Sequence, residues 1–283
     1  MNKILHIFCS RYRVLLAVAF VSLVGAFAAV AYADHSWGAY HWSRTSNTVT
    51  LKLGDNVSNT WDAYLTGASS DWNVSSVLDT TIVAGGTNNT KGRLTPKNCV
   101  PTSGRVEVCS AKYGRNGWLG LAQIWASGDH IVAGTAKVND TYFNTIPYNT
   151  PAWRRLVMCQ EVAHDFGLAH QDETFNNANL GSCMDYTNDP DGGVGGAVDN
   201  DPSNEHPNQH DYDQLKAIYT HLDSGITISQ SISGAAHGRN NDDLENSAEW
   251  GKAIRASSDG KPSLFERDLG NGNKLFTFVI WAN

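Results

Sequence analysis

The segment Gln160-Glu161-Val162-Ala163-His164-Asp165-Phe166-Gly167-Leu168-Ala169-His170 carries more information than any other part of the chain. Residues four apart on a helix share a face, so positions 160 and 164 point the same way, one turn apart. That separation lets two side chains pinch one small cation. Glu161 lies beside them, where a carboxylate can take a proton from cation-bound water. Gly167 can adopt a left-handed backbone and end the helix sharply. The chain then turns, and His170 can approach the same cation from another side. Three protein ligands and a water make an open site.

The helix leading in has a start signal. Pro151 suits a first helical position and Thr150 an N-cap. Trp153, Leu156, Val157 and Val162 supply apolar contacts for its buried face. Downstream lies Cys183-Met184-Asp185-Tyr186.

Glu161, His164, Gly167 and His170, with Met184 following, match all but one position of the pattern H-E-x-x-H-x-x-G-x-x-H and its methionine turn. The chain therefore resembles the metzincin clan of zinc metallopeptidases, in particular its matrixin-like, astacin-like and serralysin-like members. The resemblance implies an α+β, two-lobed catalytic domain with zinc in the cleft between the lobes. It implies a mixed twisted sheet, an active-site helix and a C-terminal helix after the methionine turn. His164 and His170 match the second and third zinc ligands, Glu161 the general base, and Met184 the hydrophobic floor beneath the metal. Tyr186 matches the tyrosine that reaches the metal or the developing oxyanion in astacin-like and serralysin-like enzymes.

Gln160 departs from the pattern, standing where the first ligand histidine belongs. Its carbonyl oxygen can reach about as far as an imidazole Nε2 but is neutral and a poorer zinc donor. Three readings stay open. Gln160 ligates zinc through oxygen, with Tyr186 assisting; another histidine, such as His130, His206 or His210, completes the shell; or the site is a remnant. Retention of Glu161, which is no ligand, favours surviving chemistry.

Residues 1–33 read as a secretory signal: Lys3, Arg11 and Arg13 come first, an apolar run follows, and Ala31-Tyr32-Ala33 gives an A-x-A cleavage site. An exported protein, extracellular or periplasmic, is expected, with no membrane attachment after cleavage. The formal net charge of −7 becomes more negative once the signal leaves, and no basic run remains. Nucleic acid is therefore excluded as a partner. A peptide or protein substrate and a monomeric state are the expectation. Cys9 leaves with the signal, and Cys99, Cys109, Cys159 and Cys183 remain for two disulfides. The expected pairs are Cys99–Cys109, closing a local loop, and Cys159–Cys183, pinning the helix to the methionine segment.

Three regions are expected: the signal, a catalytic domain over 34–223 and a C-terminal extension over 224–283. Strands are predicted over 47–53, 80–84 and 105–110, with a pair over 119–127 and 130–138 turning at Gly128-Asp129. Helices are predicted over 61–72, 151–166 and 207–222. Gly270-Asn271-Gly272-Asn273 between apolar runs signals a hairpin. Peptide is expected to lie along the 130–138 strand as an edge. The loop 189–196 with Asp199 and Asp201 is acidic enough to suggest calcium, although its spacing fits no EF-hand and a solvated loop is favoured.

The leading expectation is a secreted zinc endopeptidase. Its competitors are a non-catalytic binding protein on the same fold, inactivated at Gln160, and an exported carbohydrate-binding or surface protein whose resemblance is fortuitous; some of the nine tryptophans could line a sugar- or peptide-binding surface.

Overall fold

Runs rich in Val, Ile, Leu and Thr become strands, where branched side chains pack well. The computed structural model describes residues 35–86, 99–196, 198–229 and 244–282. Its strands are β1 (His41–Trp42), β2 (Val49–Asn56), β3 (Leu78–Ala84), β4 (Val106–Ala111), β5 (Trp118–Ser127), β6 (His130–Asn139), β7 (Lys252–Ala256), β8 (Pro262–Gly270) and β9 (Asn273–Trp281). Its helices are α1 (Asp62–Trp72), α2 (Asp140–Phe143), α3 (Pro151–His164) and α4 (Gln209–Ile218). The signal segment lies outside the described residues.

The architecture is mixed α+β. The strands form one mixed sheet in the order β3-β2-β4-β6-β5-β9-β8-β7, and β1 pairs with β6 off that path. The β3, β2, β4 and β6 pairings are parallel; from β6 to β5 onward the pairings are antiparallel. The turn signals at 128–129 and 270–273 each sit where the chain reverses, between β5 and β6 and between β8 and β9.

The 130–138 strand is not the edge expected for peptide binding. β6 lies inside the sheet, between β4 and β5. Alternation reports which residues face a core, not which strand lies outermost. The next strand, β5, is covered too: β9 pairs with it along its length, from Trp118↔Trp281 to Ser127↔Asn273.

Helices α1 and α3 pack together, and α3 lies on β5 and β6. Trp42, Trp61 and Trp72 are fully buried in this main core. Along β9 the side chains alternate between two cores. Phe276, Phe278 and Ile280 enter the main core, while Leu275 and Val279 join clusters around Trp125 and Trp118. Burying each such side chain is worth about 1.5–3 kcal/mol. The hairpin is therefore an integral part of the sheet.

Both expected disulfides are present, Cys99–Cys109 and Cys159–Cys183. The second ties α3 to the segment around Met184 and, by loop closure, contributes about 3 kcal/mol. Backbone bonds reinforce it: the Gln171 amide donates to Met184 O at 2.6 Å and the Tyr186 amide to Asp172 O at 3.0 Å. The Asp185 carboxylate accepts from the Leu180 amide at 2.9 Å and from Asn204 Nδ2 at 2.8 Å.

Burial, only partly opposed by those hydrogen bonds, raises the Asp185 pKa to about 7. An unfolded aspartate titrates near 4, so the folded state holds the proton more tightly. The resulting stabilisation is complete below about pH 4 and is lost as pH rises through about 7. The thermal midpoint is expected to fall across that window. Asp185→Asn, which keeps the shape without the charge, should flatten the fall; an unaltered slope would show that Asp185 does not govern it.

Candidate active site

The site begins with how α3 is held. The Thr150 side chain accepts from the Trp153 amide at 3.3 Å, and Pro151 occupies the first turn. At the other end Gly167 has φ +104°, and a Cβ there would meet Tyr40 O at 2.7 Å. Only glycine meets both demands. Beyond it the chain pairs back against 35–36, through Ser36↔Leu168 and the Ala169 amide to His35 O. This reversal carries His170 back to the end of α3.

His164 and His170 face each other with their Nε2 atoms 2.9 Å apart. Each ring is oriented through its other nitrogen: His164 Nδ1 lies 2.7 Å from Leu168 O, and His170 Nδ1 lies 2.8 Å from Glu173 Oε1. A carbonyl and a carboxylate can only accept, so both Nδ1 atoms carry the proton. Burial, then the neighbouring His170, holds the His164 pKa well below its usual value. Burial likewise lowers His170, against the pull of Glu173. Neutral rings with protonated Nδ1 present two bare Nε2 lone pairs to one point. This is the imidazole arrangement that outer carboxylates and carbonyls impose on metal ligands.

Glu161 is fully buried, and neither carboxylate oxygen has a hydrogen-bond partner of good geometry. Burial, then the charge of Asp165 one turn on, pushes its pKa well up. Asp165 is buried in the same way and raised by burial. Two glycines make room for these carboxylates. A Cβ on Gly120 of β5 would strike Glu161 Oε1, and one on Gly134 of β6 would strike Asp165 Oδ1.

Gln160 is fully buried; its Nε2 donates to Cys183 O at 2.8 Å. That bond fixes the amide and leaves Oε1 buried without a hydrogen-bond partner. Met184 is fully buried in the main core. The Tyr186 ring lies 4.3 Å from that of His170, but its hydroxyl donates to Val279 O of β9 at 2.7 Å. Phe278 of β9 stacks on His164 at 4.1 Å between centroids and 9° between planes. The C-terminal strands also brace Glu173: Ser263 Oγ donates to its Oε2 at 2.8 Å, and Arg255 Nε lies 3.6 Å from its Oε1.

The other histidines considered as ligands are engaged elsewhere. His206 Nδ1 is 2.7 Å from Asp71 Oδ2, and His210 stacks on His35. His130 Nε2 is 3.3 Å from Asp223 Oδ1. In the acidic loop, Asp201 Oδ2 accepts from the Asn179 amide at 2.9 Å. The His/Asp clusters found among the described residues do not include that loop, which gives calcium no support.

Glu173, Gly120 and Phe278 were not singled out from sequence. Glu173 had a signal, a carboxylate three residues past a candidate ligand. Gly120 reaches it through the packing of α3 on β5, and Phe278 through the β5–β9 pairing.

The donor set fits a divalent ion. With metal–nitrogen bonds of about 2.0–2.1 Å, nitrogens 2.9 Å apart subtend an angle of about 90° at a shared ion. Imidazole nitrogens suit zinc better than calcium or magnesium, and a tetrahedral zinc shared by the two rings would hold their Nε2 atoms about 3.3–3.4 Å apart, wider than here.

No protein-family model matches this sequence, and no curated protein does. Among solved structures it is similar to High choriolytic enzyme 1, a hatching enzyme zinc-protease from Oryzias latipes (Medaka fish). The identity is 12%, the match covers 65% of this chain and 96% of that chain, and the TM-score is 0.33. At that level of likeness, the case for the site rests on its own geometry.

Proposed function

We propose that this chain is an exported zinc-dependent endopeptidase of metzincin-like design, held closed by its own C-terminal strand. The observation that carries the reading is the pair of Nε2 atoms 2.9 Å apart, with both Nδ1 protons committed outward and Glu161 on the same helix. His164, His170 and Gln160 Oε1 would hold zinc. When bound, zinc supplies Lewis acidity, acidifying a water and polarising a peptide carbonyl.

The remaining chemistry belongs to the chain. Glu161 accepts the proton from the attacking water and returns it to the departing amine. Tyr186 donates to the oxyanion once its hydroxyl is released from Val279 O. Glu173 and Leu168 O keep the imidazoles in register. Substrate runs antiparallel along β5, the place β9 now fills, in a strand-addition mode of binding.

Purified protein should carry zinc and digest casein or gelatin in a chelator-sensitive way. Glu161→Gln is expected to lower turnover by about 10²–10⁴-fold with zinc retained; undiminished turnover would remove Glu161 from the chemistry. Gln160→His should tighten zinc binding, since imidazole is the better donor. Unchanged affinity would show that position 160 does not touch the metal.

Phe278→Ala tests the closure. Loss of the stack should raise turnover on casein severalfold while lowering stability by about 3–5 kcal/mol, with near-ultraviolet circular dichroism confirming a folded protein. Unchanged turnover in the folded variant would show that β9 does not control access. A second reading, a non-catalytic binding protein, draws on the full burial of Glu161 and the engaged Tyr186 hydroxyl. Zinc present without turnover, even in Phe278→Ala, would favour it.

A further inference from the structure

A second cluster of ligand-type side chains shares no residue with the site above. His41 Nε2 and His130 Nε2 each lie 3.3 Å from Asp223 Oδ1, and His221 Nε2 lies 3.4 Å from the same oxygen. His41 Nε2 and His221 Nε2 are 3.2 Å apart. The ligand atoms of His41, His130 and Asp223 all lie within 4.8 Å of one another. The His41 ring stands nearly perpendicular to both other rings, at 84° to His130 and 79° to His221.

Two members of the group are held in orientation by partners outside it. His41 Nδ1 is 2.6 Å from Ala39 O, a pure acceptor, so Nδ1 carries the proton. That bond aims His41 Nε2 at Asp223 Oδ1 and at His221 Nε2. The Asp223 carboxylate is fixed in turn: its Oδ2 accepts from the Arg44 amide at 2.9 Å, leaving Oδ1 for the imidazoles. Oriented ligands with outer partners of this kind are what metal sites require.

Distance selects the metal. Bonds of about 2.0–2.1 Å in a tetrahedron place neighbouring ligand atoms about 3.3–3.4 Å apart, and four of the six separations in the group, those of Asp223 Oδ1 to the three imidazoles and of His41 to His221, run from 3.2 to 3.4 Å. Three imidazoles with one carboxylate oxygen suit zinc, whereas calcium and magnesium call for more oxygen donors.

We infer that His41, His130, His221 and Asp223 form a second, structural zinc site. It joins β1, the start of β6 and the segment after α4, three regions far apart in sequence. Four protein ligands close the coordination shell, so the site stabilises rather than reacts. The side chains of His130 and His221 are 40% and 54% exposed, which gives the ion a route in from solvent.

The test removes the other centre and counts metal. In full-length protein carrying His164→Ala and His170→Ala, cobalt(II) should still bind at about one ion per chain, with the intense visible absorption of a four-coordinate site. Adding His130→Ala or His221→Ala, both at exposed positions, should weaken or abolish that binding and the associated rise in thermal midpoint. Failure of the His164→Ala/His170→Ala protein to bind cobalt would overturn the inference, and so would binding indifferent to residues 130 and 221. Neither result depends on peptidase activity, so the proposed function stands or falls separately.

Discussion

A carboxylate sealed in an apolar interior with no good hydrogen bond is costly, and Glu161 is held that way. Desolvating such a group unpaired costs several kcal/mol, which a protein ordinarily avoids by neutralising it. The raised pKa of Glu161 is that response. Around it, Gly120 clears the space, α3 supplies the direction, and the β5–β9 pairing closes the pocket. The Cys159–Cys183 bond and the backbone ties of 171–186 keep the pocket floor in place. A carboxyl group buried at such a cost is a candidate for function.

Gln160 fits this economy of contacts. Its amide hydrogen is used on Cys183 O, next to the disulfide that α3 makes through Cys159. The same bond that secures the methionine segment thus orients the orphaned Oε1. A histidine in its place would lack that particular donor geometry. Gln160 therefore adds a second local tie, beside the disulfide, between α3 and the methionine segment.

Much of this was legible in the sequence because it is local. Thr150 and Pro151 announce α3, Gly167 its end, and the Gly270–Asn273 turn the final hairpin. Helical spacing brings residues 160, 161 and 164 together without any knowledge of the fold. What was not legible depends on pairing between distant segments. Nothing in the alternation of β9 says that it lies against β5, so Phe278 over His164 and Val279 O beneath the Tyr186 hydroxyl could not be foreseen. The same limit applied to β6, whose pattern reads alike at an edge or in the middle of a sheet. His41, His130, His221 and Asp223 are single residues in unremarkable contexts, and only parallel β1–β6 pairing and the fold-back after α4 gather them.

The roof formed by β9 also has a kinetic meaning. With Glu161 and His164 fully buried and His170 nearly so, proton exchange between these groups and bulk water requires local opening of the structure around them. Exchange at the imidazoles is then timed by that opening, whatever the intrinsic reactivity of the groups beneath it.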